Sequence, residues 1–234
     1  DYYLSEREEE DLRYLAEMNK PVILILNAGG PVELTDILEQ TDNIKGILNI
    51  SQLGQEGGDA LADVLLGKEV PGGKLTTTWA RRYEDYPASE EYGYLNGNLE
   101  KEKYKEGIYV GYRYFDSFDK KVMFPFGFGL SYTTFEMKCC SINMEESKIR
   151  AEVQVTNTGN EYAGKEVVQI YVTLPQTELE KEYKRLAGFA KTRLLKPGET
   201  QTLTVEIPQK QLASFNEETH TWIRSEERRV GKEC

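Results

Sequence analysis

Few side chains in this chain could do chemistry, and the scarcity of histidine excludes several kinds of site. The 234 residues contain a single histidine, His220, in a polar stretch near the end of the chain. A serine–histidine–aspartate triad, a cysteine–histidine dyad or a histidine-bound zinc ion would all depend on it, and a surface histidine is the simpler interpretation. Cys139 and Cys140 are neighbours, and adjacent cysteines meet disulfide geometry poorly. Catalysis would have to rest on carboxylates, hydroxyls or lysines, and we expect neither a metal nor a cofactor.

Two glycine-rich loops follow predicted strands. Residues 27–30 (Asn-Ala-Gly-Gly) could bring backbone N–H groups to a phosphate, but no common phosphate-binding motif is present and a tight turn accounts for them. Residues 55–58 (Gln-Glu-Gly-Gly) lie where open α/β sheets bind ligands, at the carboxyl ends of the strands. We therefore select Gln55 and Glu56 as candidate residues flanking a substrate.

A long irregular stretch from Ala80 to Phe128 contains many of the tyrosines. Long loops in compact domains are usually functional. Tyrosine rings can stack on sugars or fill the boundary between two domains. Between Glu106 and Phe115 they alternate with small or apolar residues, which favours a domain boundary. We select Tyr92 and Tyr94 as candidates for a stacking surface.

The elements that would position these residues differ between the two halves of the chain. The first half alternates helices with strands and predicts an α/β layer, a partial α/β sandwich with mostly parallel strands. A capping box at Ser5 and Glu8 begins its first helix. The predicted helices are 6–18, 31–40 and 59–66, and the predicted strands are 22–26 (buried on both faces), 46–50 and 74–79.

After Cys140 the hydrophobic period becomes two, which predicts an antiparallel, all-β immunoglobulin or fibronectin type III-like sandwich. The alternating residues are Ile149, Ala151, Val153, Val155, Val168, Ile170, Val172, Leu203, Val205 and Ile207. We assign residues 1–138 to the α/β part with its aromatic loop and 139–223 to a truncated sandwich. Residues 224–234 have no apolar periodicity and look like a translated sequencing adapter, so we exclude them. The first residue is Asp rather than Met, and we expect the parent protein to be longer.

Charge and hydropathy exclude two classes of partner. Against 29 Lys and Arg there are 40 Asp and Glu, a formal charge of −11 that disfavours nucleic acids and anionic membranes. The longest aliphatic run is five residues, Val22–Leu26, against the roughly 20 that a membrane-spanning helix needs.

Several blocks together resemble glycoside hydrolase family 3. They are residues 53–67 (LGQEGGDALADVLLG), 71–75 (PGGKL), 106–115 (EGIYVGYRYF), 124–135 (FPFGFGLSYTTF), 155–159 (VTNTG), 163–171 (AGKEVVQIY) and 186–191 (LAGFAK). They occur in order across almost all of 1–223. One departure is Lys74-Leu75-Thr76, where relatives often have Arg-Leu-Pro, and we expect it to be tolerated.

The resemblance implies a fragment of a retaining β-glycosidase that removes β-linked glucose or xylose. It implies a parent with a (β/α)8 barrel carrying the aspartate nucleophile and an acid/base glutamate just upstream of residue 1. No catalytic residue is therefore assigned to this chain, whose predicted partners are a β-glucoside or β-xyloside and the missing barrel.

Two other functions stay open. A stand-alone carbohydrate-binding or scaffold module would bind a sugar without hydrolysing it. A nucleotide-binding α/β protein is the third hypothesis, and the acidic charge and the absence of a phosphate-loop motif disfavour it.

Overall fold

A computed structural model describes residues 2–18, 20–92, 97, 100–101, 103–175 and 179–223 of the chain. Its first part contains α1 (Glu6–Glu17), β1 (Val22–Leu26), α2 (Thr35–Gln40), β2 (Ile44–Asn49), α3 (Gly57–Leu65), β3 (Trp79–Ala80), α4 (Tyr112–Ser117) and β4 (Val122–Phe124). Its second part contains β5 (Phe135–Met144), β6 (Lys148–Asn157), β7 (Val167–Val172), β8 (Arg185–Lys191), β9 (Thr200–Pro208), β10 (Ser214–Asn216) and β11 (Thr221–Ile223). The excluded segment 224–234 lies outside the described residues.

Helix α1 begins where the capping box predicts. The Ser5 backbone N–H donates to Glu8 Oε2 at 2.8 Å, and the Ser5 hydroxyl accepts from the Glu8 N–H at 3.4 Å. These two bonds satisfy N–H groups that a helix start leaves without partners. Leu12 then faces the core, so the predicted helix is confirmed with its end one residue earlier.

Strands β1 and β2 pair in parallel, as predicted. Their inner residues pack with α1 and α2 around a core that includes Leu26, Leu34 and Trp79. The prediction that β1 is buried on both faces is wrong, because Ile23 is 54% exposed and Ile25 is 38% exposed.

Helix α2 begins at Thr35, four residues later than predicted from Pro31. The Glu33 backbone N–H donates to the Tyr2 carbonyl oxygen at 2.9 Å. The first helical backbone bond runs from the Leu38 N–H to the Leu34 carbonyl oxygen at 3.0 Å, so the residues before Leu34 lie outside the helix.

The predicted strand 74–79 is wrong apart from its last residue. Strand β3 consists of Trp79 and Ala80 and pairs antiparallel with β4. Leu75 instead exchanges backbone hydrogen bonds with Phe128 and Gly127, both at 2.8 Å. The segment before β3 therefore follows a distant loop of the chain instead of extending the parallel sheet.

The second part is an antiparallel sandwich, as predicted. Strands β5, β6 and β9 form one sheet, and β7 pairs with β8 in the other. The alternating residues Val153, Val155 and Leu203 fill the core together with Val168 and Leu195. The period of two therefore places apolar side chains on the inner face of each sheet.

The predicted boundary between residues 138 and 139 falls inside β5, which runs from Phe135 to Met144. Phe135 already packs against the sandwich core. Most of β5 is exposed, which explains why its hydrophobic alternation is weak in the sequence. The division into two domains itself stays a prediction. Among the described residues, no helix has the length and apolar character needed to cross a membrane.

Candidate functional site

The loops after β1 and β2 meet at the carboxyl edge of the parallel pair. A Cβ atom added to Gly29 would lie 3.2 Å from Gln52 Oε1, so the glycine leaves room for this amide. Open α/β sheets bind ligands at this edge. Two glycine-rich loops that are separate in the sequence therefore come together in the fold.

The second loop begins with two residues in an unusual backbone conformation. Ser51 has a φ of 47° and Gln52 a φ of 58°, both in the left-handed region. Residues other than glycine rarely adopt it, and such strained positions cluster at functional sites. Sequence reasoning missed these two residues, because neither Ser nor Gln signals a positive φ.

Gln55 and Glu56 lie in this loop, and both side chains are exposed. Glu56 immediately precedes α3 and makes no side-chain cap bond to it. At Gly57 an added Cβ would lie 2.5 Å from Leu53 Cβ, so the loop closes tightly against the start of the helix. The Glu56 carboxylate is left facing solvent at the sheet edge.

Tyr92 lies in a separate turn, where its backbone N–H donates to the Ala88 carbonyl oxygen at 2.8 Å. Its side chain is 71% exposed. Nothing in the described part of the chain joins it to Gln55 or Glu56 by a hydrogen bond. Tyr94 lies outside the described residues. The assignment of these four residues as substrate-flanking stays a prediction.

A cluster of tyrosine rings holds the segment that leads to Tyr92. Tyr2 lies 5.4 Å from Tyr83 and 5.7 Å from Tyr86 between ring centroids. The Tyr86 hydroxyl donates to the Thr78 carbonyl oxygen at 3.0 Å and accepts from the Ala80 N–H at 3.2 Å. Burial, with a smaller contribution from Tyr86, raises the pKa of Tyr2 far above its ordinary value. Tyr2 is therefore protonated at neutral pH and does not supply a base.

Carboxylates near this cluster are engaged in ion pairs. Arg82 Nη1 lies 3.0 Å from Glu33 Oε1, and Arg82 Nη2 lies 2.6 Å from Asp36 Oδ1. The hydrogen bond from Arg82 lowers the pKa of Asp36 below its ordinary value. Glu33 and Asp36 thus share one guanidinium, that of Arg82, as their ion-pair partner. Within the described ranges, no group of three or more His, Cys, Asp or Glu side chains could hold a metal ion.

Residues of the irregular stretch from Ala80 to Phe128 contact the sandwich. Side chains at a boundary between two parts of the chain would make such contacts. The Tyr112 ring lies 5.0 Å from Phe126 and 5.8 Å from Tyr171. Burial raises the pKa of Tyr171 to about 12. Lys74, from the segment before β3, also reaches the sandwich, and its Nζ lies 2.7 Å from Glu166 Oε1.

Two family models match the chain in order. Residues 1–112 match the glycosyl hydrolase family 3 C-terminal domain. Residues 166–228 match a fibronectin type III-like domain. The two models agree with the α/β part and the sandwich, respectively.

Relatives match nearly the whole chain but are much longer. Beta-glucosidase A of Butyrivibrio fibrisolvens is 41% identical over 93% of this chain, which spans 28% of that relative. A beta-glucosidase of Kluyveromyces marxianus is 38% identical over 94% of the chain and 25% of the relative. The structure of beta-glucosidase 3B from Thermotoga neapolitana in complex with alpha-D-glucose superposes with a TM-score of 0.84 and 43% identity, covering 92% of this chain and 30% of that one. This chain therefore belongs to glycosyl hydrolase family 3, of which it contains the C-terminal α/β domain and the fibronectin type III-like domain.

Proposed function

We propose that the chain is a fragment of a retaining β-glycosidase of the β-glucosidase or β-xylosidase type, which hydrolyses terminal O-glycosidic bonds. The observation that carries this proposal is its similarity, over more than nine-tenths of its length, to beta-glucosidases. The chain spans less than a third of those relatives. We therefore place the barrel and the catalytic pair in the remainder of the parent protein.

The single candidate carboxylate at the sheet edge supports a non-catalytic role for this chain. A retaining glycosidase holds its nucleophile and its acid/base about 5–5.5 Å apart across the scissile bond. At the carboxyl edge of the parallel sheet, Glu56 is the candidate carboxylate, and Gln55 beside it is neutral. One carboxylate in that loop could orient a sugar hydroxyl but could not perform both steps of a retaining reaction.

An exposed apolar surface on the α/β part supports the proposal that a large partner covers it. Ile23 and Ile25 project from the outer face of β1, and α3 has no buried residue although it is rich in apolar ones. Leu65 and Leu66 at its end are also exposed. Parallel sheets are normally covered on both faces. We propose that the remainder of the parent chain covers this surface.

The test compares the fragment with a chimera. Residues 1–223 alone should not hydrolyse aryl β-glucosides or β-xylosides. The same residues should support turnover when they replace the corresponding part of the Butyrivibrio enzyme. In that chimera we expect Glu56→Gln to raise KM more than it lowers kcat, because a flanking residue binds sugar without taking part in bond cleavage.

Two results would contradict the proposal. Turnover by residues 1–223 alone, lost on Glu56→Gln, would place the acid/base in this chain. A folded chimera without turnover, combined with sugar binding by the fragment, would favour a carbohydrate-binding module.

A further inference from the structure

Residues 179–186, here called the docking segment, lead from the sandwich into β8 and contact helix α4 of the α/β part. The Leu186 backbone N–H donates to the Tyr112 hydroxyl at 2.7 Å. The Tyr183 N–H donates to Ser117 Oγ at 2.9 Å. These bonds join the first and last residues of α4 to the backbone of another part of the chain.

Charged side chains run along the same contact. Lys184 Nζ lies 3.3 Å from Asp116 Oδ2. The Tyr109 hydroxyl donates to Glu180 Oε1 at 2.8 Å. The docking segment therefore contacts both the residues just before α4 and the helix itself.

Glu182 lies at the centre of the docking segment and is 1% exposed. Its carboxylate accepts from Arg185 Nε at 2.5 Å and from Arg185 Nη2 at 3.2 Å, and Arg113 Nε of α4 lies 3.8 Å away. Burial alone would raise the pKa of Glu182, but the hydrogen bonds and the positive charges of Arg185 and Arg113 lower it. The side chain is therefore ionised at neutral pH.

Arg185 anchors this carboxylate to the sandwich. Its Nη1 donates to the carbonyl oxygens of Gln211 and Ala213 at 3.0 and 2.9 Å. A planar guanidinium that forms four hydrogen bonds fixes the orientation of its partner. Glu182 thus has a fixed position from which it faces α4.

Two aromatic side chains of helix α4 pack against other parts of the chain, and one of them is Tyr112, whose ring lies against Phe126 and Tyr171. Phe115 is its buried residue, and its ring lies 5.6 Å from that of Tyr86 in the tyrosine cluster. A six-residue helix is too short to be stable alone. Its position therefore depends on these aromatic contacts and on the docking segment.

We propose that the docking segment of the sandwich is a positioning element for α4 and the adjoining residues 103–118, and that Glu182 is its central positioning residue. The fibronectin type III-like domain thereby orders a loop of its neighbour. The consequence for catalysis rests on the proposed function. Phe115 of α4 packs against Tyr86 in the tyrosine cluster, which precedes the candidate stacking residue Tyr92. We therefore expect a loosened α4 to weaken sugar binding without affecting the chemical step.

The first experiment measures hydrogen exchange by mass spectrometry on the whole chain. Variant Tyr112→Phe/Ser117→Ala removes both acceptors for the docking segment, and Glu182→Gln removes the buried charge. Losing two hydrogen bonds should raise exchange of residues 103–118 roughly tenfold in the double variant, with β6 and β9 unchanged. Ser117→Thr restores the hydroxyl and should restore the protection lost on Ser117→Ala.

The matched control is Val153→Ala, which creates a cavity in a core cluster that contains no residue of the docking segment. It should lower Tm without selectively raising exchange of residues 103–118. Unchanged exchange in both docking variants, or an equal rise in the control, would overturn the inference.

The second experiment introduces Tyr112→Phe/Ser117→Ala into the chimera described above. We expect KM to rise severalfold with kcat unchanged. Unchanged KM in an active chimera would overturn the consequence for sugar binding. Absence of turnover in the unmutated chimera would refute the proposed function, while the exchange data would still decide the positioning role.

Discussion

Asn157 is the residue whose replacement should most clearly destabilise the sandwich. Its side chain is completely buried at the end of β6. Nδ2 donates to the carbonyl oxygens of Tyr162 and Leu195, both at 2.9 Å. Oδ1 accepts from Thr133 Oγ1 at 2.6 Å and from the Gly159 N–H at 3.1 Å. The amide thus joins three segments through four hydrogen bonds, with every hydrogen-bonding position used.

Asn157→Leu keeps the branched shape and the number of heavy atoms and removes all four bonds. The Leu195 oxygen retains a bond from the Gly164 N–H, whereas the Gly159 N–H and the Thr133 hydroxyl lose the partner that Asn157 supplies. An unsatisfied buried group costs about 1–3 kcal/mol, so we expect a loss of about 3–5 kcal/mol in the free energy of unfolding. For a sandwich of ordinary size this corresponds to a fall in Tm of more than about 10 °C.

The assay is urea unfolding followed by circular dichroism, with two matched variants. Thr133→Val removes one of the four bonds and should cost about 1 kcal/mol. Asn157→Asp preserves shape but sets an oxygen against two carbonyl oxygens, so it should destabilise at least as much as Asn157→Leu at neutral pH. A loss below about 1 kcal/mol for Asn157→Leu would refute the reasoning, since that is no more than one ordinary hydrogen bond.

Three further predictions concern the remaining charges and the end of the chain. Lys74→Met removes the ion-pair partner of Glu166 and the bond to the Gly129 oxygen, so it should cost about 3 kcal/mol in urea unfolding. Adding Glu166→Gln should recover part of that loss, and equal stability of Lys74→Met and the parent would contradict the role of the pair. The hydrogen bond from Arg193 lowers the pKa of Glu199 from 4.5 to about 2, so its contribution is present above pH 4.5 and is lost as pH falls towards 2. Glu199→Gln should flatten the dependence of stability on pH within that window, and an unchanged profile would show that another carboxylate produces it. Deleting residues 224–234 should leave Tm unchanged, and a loss above about 1 kcal/mol would show that the segment belongs to the fold.

Local sequence patterns were sufficient for the elements whose stability depends on their own residues. The capping box at Ser5 and Glu8 placed the start of α1. Strict alternation placed the buried residues of β6 and β9, because a strand with one face in the core repeats every two residues. The run of five aliphatic residues placed β1 at its observed bounds. The ordered blocks of the resemblance likewise identified the family from the sequence.

Contacts between distant segments required the tertiary structure. The apolar sequence of β1 is the same whether or not its outer face is covered, so only the fold shows Ile23 exposed. Lys74 was predicted to lie in a strand, but its ammonium group binds Glu166 across the contact between the two parts.

The same limit applies to the candidate site and to the docking segment. The loop containing Glu56 could be located from the sequence because a glycine-rich turn after an apolar strand is a local signal. The left-handed backbone of Ser51 and Gln52 has no such signal in its residue types. Glu182 and Arg113 meet because two elements far apart in the chain pack together, and the energy of that contact exists only once both are folded. The sequence therefore determined the family and the regular elements, whereas the tertiary structure decided which polar groups meet, since burial and partner geometry arise from packing.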